Sequence, residues 1–155
     1  MTSSSRRNLR AVLPAVLGLV LLLGLLATAT RCKDEKPQIL PEVEFVFSIS
    51  LTLPQYTELG TPGNVILYPH AGYMAHGVYV VHELLGEPAY AAYDATCTAH
   101  LDDPVATTLQ GTSAICPSCK REYILYGGAA TVDAQYHLQP YRIYHEGSNL
   151  TVHSP

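Results

Sequence analysis

The sequence predicts an all-β domain behind an N-terminal signal or membrane-anchor helix, and three observations predict it. Between residues 44 and 54, "EFVFSISLTLP" alternates apolar and polar side chains with period two. After it, short apolar runs are broken at close intervals by Gly, Pro, Asn and Asp, and no stretch beyond residue 32 sustains a 3.6-residue period long enough for a helix. Ahead of it, the basic head "MTSSSRRNLR" gives way to "AVLPAVLGLVLLLGLLATAT", 20 residues without a charge.

Residues 1–32 therefore read as a signal peptide or membrane anchor that leaves the rest of the chain outside the cytoplasm, on a membrane reached through the N-terminus. Cys32 closes the segment where a lipoprotein signal is cut and diacylated. Ala29 and Thr30 are small enough for such a site and Arg31 is not, so lipidation at Cys32 and an uncleaved helical anchor both stay open. Ser5, Arg6, Arg7 and Leu9 are placed as in a twin-arginine export signal, although paired arginines also precede ordinary signals. Residues 33–42, "KDEKPQILPE", are charged and contain Pro37 and Pro41, as suits an extended linker. One domain, residues 43–155, follows.

Charge excludes one class of partner. Arg6, Arg7, Arg10 and Arg31 all precede Cys32, so from Lys33 onward five Lys or Arg stand against 13 Asp or Glu, about -8. A surface so poor in cations releases few counterions from a phosphate backbone, which argues against nucleic acid.

In the strand at 44–54, Phe45, Phe47, Ile49, Leu51 and Leu53 make the face to be buried. "NVILY", "GVYVVH", "AYAAY", "SAIC", "EYILY", "YRIY" and "NLTV" supply the others, about eight strands in a compact antiparallel fold without internal repeats. Tyr68, Tyr73, Tyr79, Tyr90, Tyr93, Tyr123, Tyr126, Tyr141 and Tyr144 lie in or beside these runs, where tyrosine packs half-buried sheet faces.

Most catalytic patterns are absent. "HELLGEP", residues 82–88, starts like a zincin helix, but the second ligand position is Gly86. No nucleophile elbow, Walker loop or dinucleotide fingerprint occurs, and Asp102 with Asp103 reads as a solvated turn. His70 and His76 flank a glycine-containing loop without a Cys or carboxylate spaced beside them, as exposed loop histidines do. One constellation stands apart. "CTAHLDDPVATTLQGTSAICPSC" places Cys97 and His100, then Cys116 and Cys119, as two x2 pairs across a 15-residue gap. Two such pairs, each closing a tight turn, bring four ligands to one point without a preformed pocket. Pro117 suits the second turn, and Lys120 with Arg121 puts positive charge beside it or simply solvates it. By spacing alone the set suits a structural zinc ion, a [2Fe-2S] cluster, or no metal, with Cys116 and Cys119 as a short disulfide or free thiols.

The same residues resemble a Rieske-type [2Fe-2S] domain, in particular the small membrane-anchored or lipoprotein Rieske-like proteins of bacteria. "YAAYDATCTAHL" is similar to that family's strand and first ligand loop through Cys97, Thr98, His100 and Leu101. "CPSCKREYILYGG" matches the second through Cys116, Pro117, Tyr123 and Gly128. "LQPYRIYHEGSNLTV" resembles the closing hairpin through Leu138, Tyr141, Ile143, Gly147, Leu150 and Val152. Three departures stand out: Ala99 lengthens the first loop, Cys119 occupies the place of the family's second histidine, and Lys120 that of the following glycine.

The resemblance implies a Rieske-like antiparallel β-sandwich or barrel with a two-loop metal-binding tip over residues 43–155. It implies a [2Fe-2S] cluster, or else zinc or none, at Cys97, His100, Cys116 and Cys119. Cys97 and Cys116 would share one iron and His100 and Cys119 the other. It further implies a membrane-tethered electron carrier of the bacterial cell envelope, periplasmic or surface-facing, working with a redox or envelope protein partner. Oxygenase members of the family carry a separate catalytic domain for which 155 residues leave no room, so the chain reads as a carrier or binding module rather than a catalyst.

Overall fold

The computed structural model describes residues 38–86 and 88–154, which fall in one compact unit. The signal or anchor segment, the lipidation position Cys32 and the first half of the linker lie outside the described residues. No helix among the described residues is long and apolar enough to cross a membrane.

Among the described residues, ten strands form two antiparallel sheets. They are β1 (Val46–Ser50), β2 (Val65–Tyr68), β3 (Val78–His82), β4 (Tyr90–Asp94), β5 (Thr108–Gln110), β6 (Ser113–Ile115), β7 (Glu122–Ile124), β8 (Ala130–Thr131), β9 (Pro140–Glu146) and β10 (Asn149–His153). Six strands pair in the order β1-β10-β9-β4-β3-β2, and four in the order β5-β6-β7-β8. The all-β antiparallel fold expected from the sequence is thus the fold observed, but with ten strands where about eight were expected. The two extra ones, β5 and β8, span three and two residues, too few for a period of two to register against its surroundings.

The first strand is also shorter than its pattern suggests. Ile49 is buried, but β1 stops at Ser50 and Leu53 is 43% exposed. The cause is local: the Leu53 amide turns back onto the Ser50 carbonyl at 3.1 Å, and Pro54 then opens a 3-10 segment, Pro54–Gly60.

β3 and β4 read as unbroken apolar runs because both faces of the sheet are covered there. Val78, Val80, Tyr90 and Ala92 face one cluster with Ile49, Leu59, Tyr141, Leu150 and Val152. Tyr79, Val81, Ala91 and Tyr93 face a second with Ala114, Tyr123, Leu125 and Leu138, and this second cluster also contains Cys97 and Cys116. The six-stranded sheet curls until its edges meet, since Phe47 of β1 stacks on Tyr68 of β2 with ring centroids 3.8 Å apart. Side chains rather than a hydrogen-bond ladder close this half-barrel.

At the end of β4 lies a fully buried carboxylate, Asp94. Its Oδ2 accepts from the Tyr73 amide and the Tyr141 hydroxyl, both at 2.6 Å, and its Oδ1 accepts from the Thr96 amide at 2.7 Å. Gly72 makes room for this: a Cβ there would stand 2.4 Å from Asp94 Oδ2, and its φ of +76° favours glycine in any case. Burial first, then the Asp94 charge, hold the Tyr141 hydroxyl far above its ordinary range, so it keeps its proton and donates it to Asp94 in a hydrogen bond.

Tyr141→Phe deletes one charge-assisted donor from Asp94 and should cost about 1.5–3 kcal/mol in chemical denaturation. Tyr144→Phe, at a 53% exposed position, should change stability by less than about 0.5 kcal/mol. Equal effects at the two sites would contradict the anchoring role of Asp94.

Candidate metal centre

Each ligand pair is set by its own backbone turn. The first loop leaves β4 and closes on itself: the Cys97 amide donates to the Val105 carbonyl at 2.9 Å, and the Thr107 amide to Ala95 at 2.7 Å. Thr96 and Ala106 form an isolated bridge across the loop's base. Tyr79, from β3, hydrogen bonds the Thr107 hydroxyl at 2.9 Å and so fixes the base to the core. Within the loop the His100 amide donates to the Cys97 carbonyl at 3.2 Å, a tight turn that spans the inserted Ala99.

The second loop joins β6 to β7. The Cys116 amide donates to the Arg121 carbonyl at 2.9 Å, and the Lys120 amide to the Cys116 carbonyl at 3.0 Å. Lys120 takes a left-handed φ of 60°, the conformation in which glycine is least strained. The flanking cations have partners of their own: Lys120 Nζ donates to the Pro117 carbonyl at 2.7 Å, and the Arg121 guanidinium lies 4.5 Å above the Tyr136 ring.

The four expected ligands converge. One donor atom from each of Cys97, His100, Cys116 and Cys119 lies within 4.8 Å of all the others. Among the described residues no other grouping of three or more His, Cys, Asp or Glu is close enough to share an ion. Cys97 and Cys116 are buried, His100 and Cys119 half-buried, and all three cysteines are free thiols. The sulfurs of Cys97 and Cys119 are 3.9 Å apart.

The other candidates do not assemble. His70 is exposed, while His76 Nδ1 lies 2.9 Å from the Thr96 hydroxyl. His82 donates from Nδ1 to the Leu59 carbonyl at 2.6 Å, and Asp102 and Asp103 are solvated.

The electrostatics divide the thiols. Burial pushes the Cys97 thiol up to about 12, against the hydrogen bond it shares with the Tyr123 hydroxyl at 3.2 Å. Burial opposes ionisation of Cys116 too, but backbone amides of Cys119 and Ser118 point at its sulfur and bring it below the ordinary thiol range. Cys116 therefore ionises more readily than Cys97.

The residues fit a metal. Three thiols and an imidazole are the donors that iron and zinc take, and His100 supplies a further sign, because its Nε2 is buried without a hydrogen-bond partner. A buried polar atom left unpaired costs about 1–3 kcal/mol, a cost that coordination within this cluster would remove.

Three contributors escaped sequence reasoning: Asp94, Thr96 and Thr107, which hold the base of the first loop. Only one signal pointed to them, a carboxylate ending an otherwise apolar strand directly before the ligands.

His100→Leu should behave oppositely in two conditions. In protein stripped by a chelator it should hold or raise stability, by up to about 1–3 kcal/mol; with zinc or iron supplied, wild type should be the more stable. Denaturant melts with and without chelator check this, and a variant weaker than wild type in both conditions would contradict the ligand role.

No family model matches the chain, and no curated protein matches it. Among solved structures, the complex of reduced oxygenase and oxidized ferredoxin in carbazole 1,9a-dioxygenase is similar, with 15% identity, a TM-score of 0.39, and coverage of 59% of this chain and 90% of that one. The ferredoxin of carbazole 1,9a-dioxygenase from Nocardioides aromaticivorans IC177 is similar at 13% identity and a TM-score of 0.37, over 59% of this chain and 86% of that one. The Sphingomonas yanoikuyae B1 ferredoxin is similar at 15% identity and a TM-score of 0.39, over 63% and 94%.

Proposed function

We propose that the chain is an electron-transfer module of Rieske-like build, tethered to a bacterial cell envelope, with an iron centre held by Cys97, His100, Cys116 and Cys119. The observation that carries this reading is the convergence of three thiols and an unpartnered imidazole, all within 4.8 Å, at the meeting of two loops. The Rieske resemblance of the sequence supports iron over other metals, and the uncharged run ahead of Cys32 supports the tether.

One-electron chemistry is what iron supplies there when bound. The chain's own residues do the rest. Cys97 and Cys116 hold the inner side and exclude water, with Tyr123 packed against Cys97. His100 and Cys119 reach the surface, beside exposed Leu101, Pro117 and Ser118, so an electron can cross to a redox or envelope protein partner over a short distance. Three thiolates and one neutral imidazole carry more negative charge than a two-histidine set, which opposes reduction.

A second reading, a structural zinc site in an interaction module of the envelope, is favoured by the Cys116–Cys119 turn. Its amide-to-sulfur hydrogen bonds suit a zinc knuckle equally well.

The full chain, produced with iron supplied and compared with a zinc-loaded sample, separates the two. The iron-loaded protein should be coloured and should cycle reversibly by one electron with a midpoint below about 0 mV. A protein that retains only zinc and stays colourless at every potential would overturn the electron-transfer reading.

A further inference from the structure

The two loops are spaced for a definite number of metal ions. With metal–thiolate bonds of about 2.3 Å and metal–imidazole bonds of about 2.0–2.1 Å, tetrahedral ligands of one ion stand about 3.5–3.8 Å apart. In a two-iron cluster, two such tetrahedra share an edge of bridging sulfides. Ligands on different irons then stand roughly 5 to 6.5 Å apart, taking the same bond lengths. Two irons and four ligands give four such cross-iron pairs, so a two-iron site must show several long separations.

It shows none. Every donor atom lies within 4.8 Å of every other. Cys97 and Cys119 are the sharpest case. The Rieske pairing puts them on different irons, yet their sulfurs are 3.9 Å apart, the separation of two ligands on one ion. The backbone resists spreading them. Cys97 is pinned from behind by the Tyr123 hydroxyl at 3.2 Å and by its own amide bond to Val105, while the Cys119 turn is closed onto Cys116 by the Lys120 amide.

We infer that Cys97, His100, Cys116 and Cys119 form a site for a single tetrahedral metal ion, without bridging sulfide, rather than for a two-iron cluster. This rests on the metal-centre reading above and narrows it. The inserted Ala99 and the thiol at position 119 are the residues that make the difference: a short turn at 97–100 and a compact sulfur at 119 draw both pairs inward.

The test counts atoms. The full chain is purified both as expressed with iron supplied and after anaerobic reconstitution with ferrous iron and sulfide, and then assayed for iron, zinc and acid-labile sulfide per chain. One metal ion and no labile sulfide are expected in both preparations. Two irons with two sulfides would overturn the single-ion inference and leave the metal-centre reading standing. No bound metal in either preparation, with zinc supplied as well, would overturn both.

Discussion

The structure depends on one buried charge. Asp94 ends β4 inside the protein, and its carboxylate accepts hydrogen bonds from three separate segments: the Gly72–Tyr73 turn, the Tyr141 hydroxyl on β9, and the amide of Thr96. A carboxylate removed from water is costly unless such donors surround it, so these segments hold their relative positions only together. Cys97 follows Thr96 directly, and the first ligand loop therefore starts from a point fixed on three sides. The second loop has no comparable anchor of its own. It is the turn between β6 and β7, and the packing of Ala114, Tyr123 and Leu125 against Tyr79 and Tyr93 sets where it lies.

That arrangement explains why two of the proposed ligands belong to the core. Cys97 and Cys116 are members of the same apolar cluster as Tyr123 and Leu138, so the inner side of the site is dry and its outer side, at His100 and Cys119, meets solvent. Burial alone raises a thiol and disfavours the thiolate that a metal requires. The backbone amides of Cys119 and Ser118 offset this at Cys116 and bring its thiol below the ordinary range. Burial keeps Cys97 a thiol, and that proton would have to leave for Cys97 to hold a metal.

Much of this was legible in the sequence. Period two in "EFVFSIS" and the short apolar runs specify strands, and the x2 pairs specify a meeting point for four ligands. What was not legible shares a physical cause: it depends on distance across the fold. β5 and β8 are too short to show a period, and their pairing is decided by neighbours. Leu53 fits the strand pattern until Pro54 turns the chain. Asp94 looks like a strand end, since nothing in its neighbourhood announces Tyr141, 47 residues later. Spacing likewise cannot say which sulfur faces which, and the 3.9 Å between Cys97 and Cys119 is the feature that separates one ion from two.

Cobalt(II) reports coordination number and ligand type at once, and a titration of the reduced full chain with it tests the account most directly. Saturation at one equivalent is expected, with the intense visible bands of tetrahedral cobalt and thiolate-to-cobalt absorption in the near ultraviolet, both lost in Cys116→Ser. A titration that yields only the weak bands of octahedral cobalt, or no change in absorption, would contradict a four-ligand centre at Cys97, His100, Cys116 and Cys119.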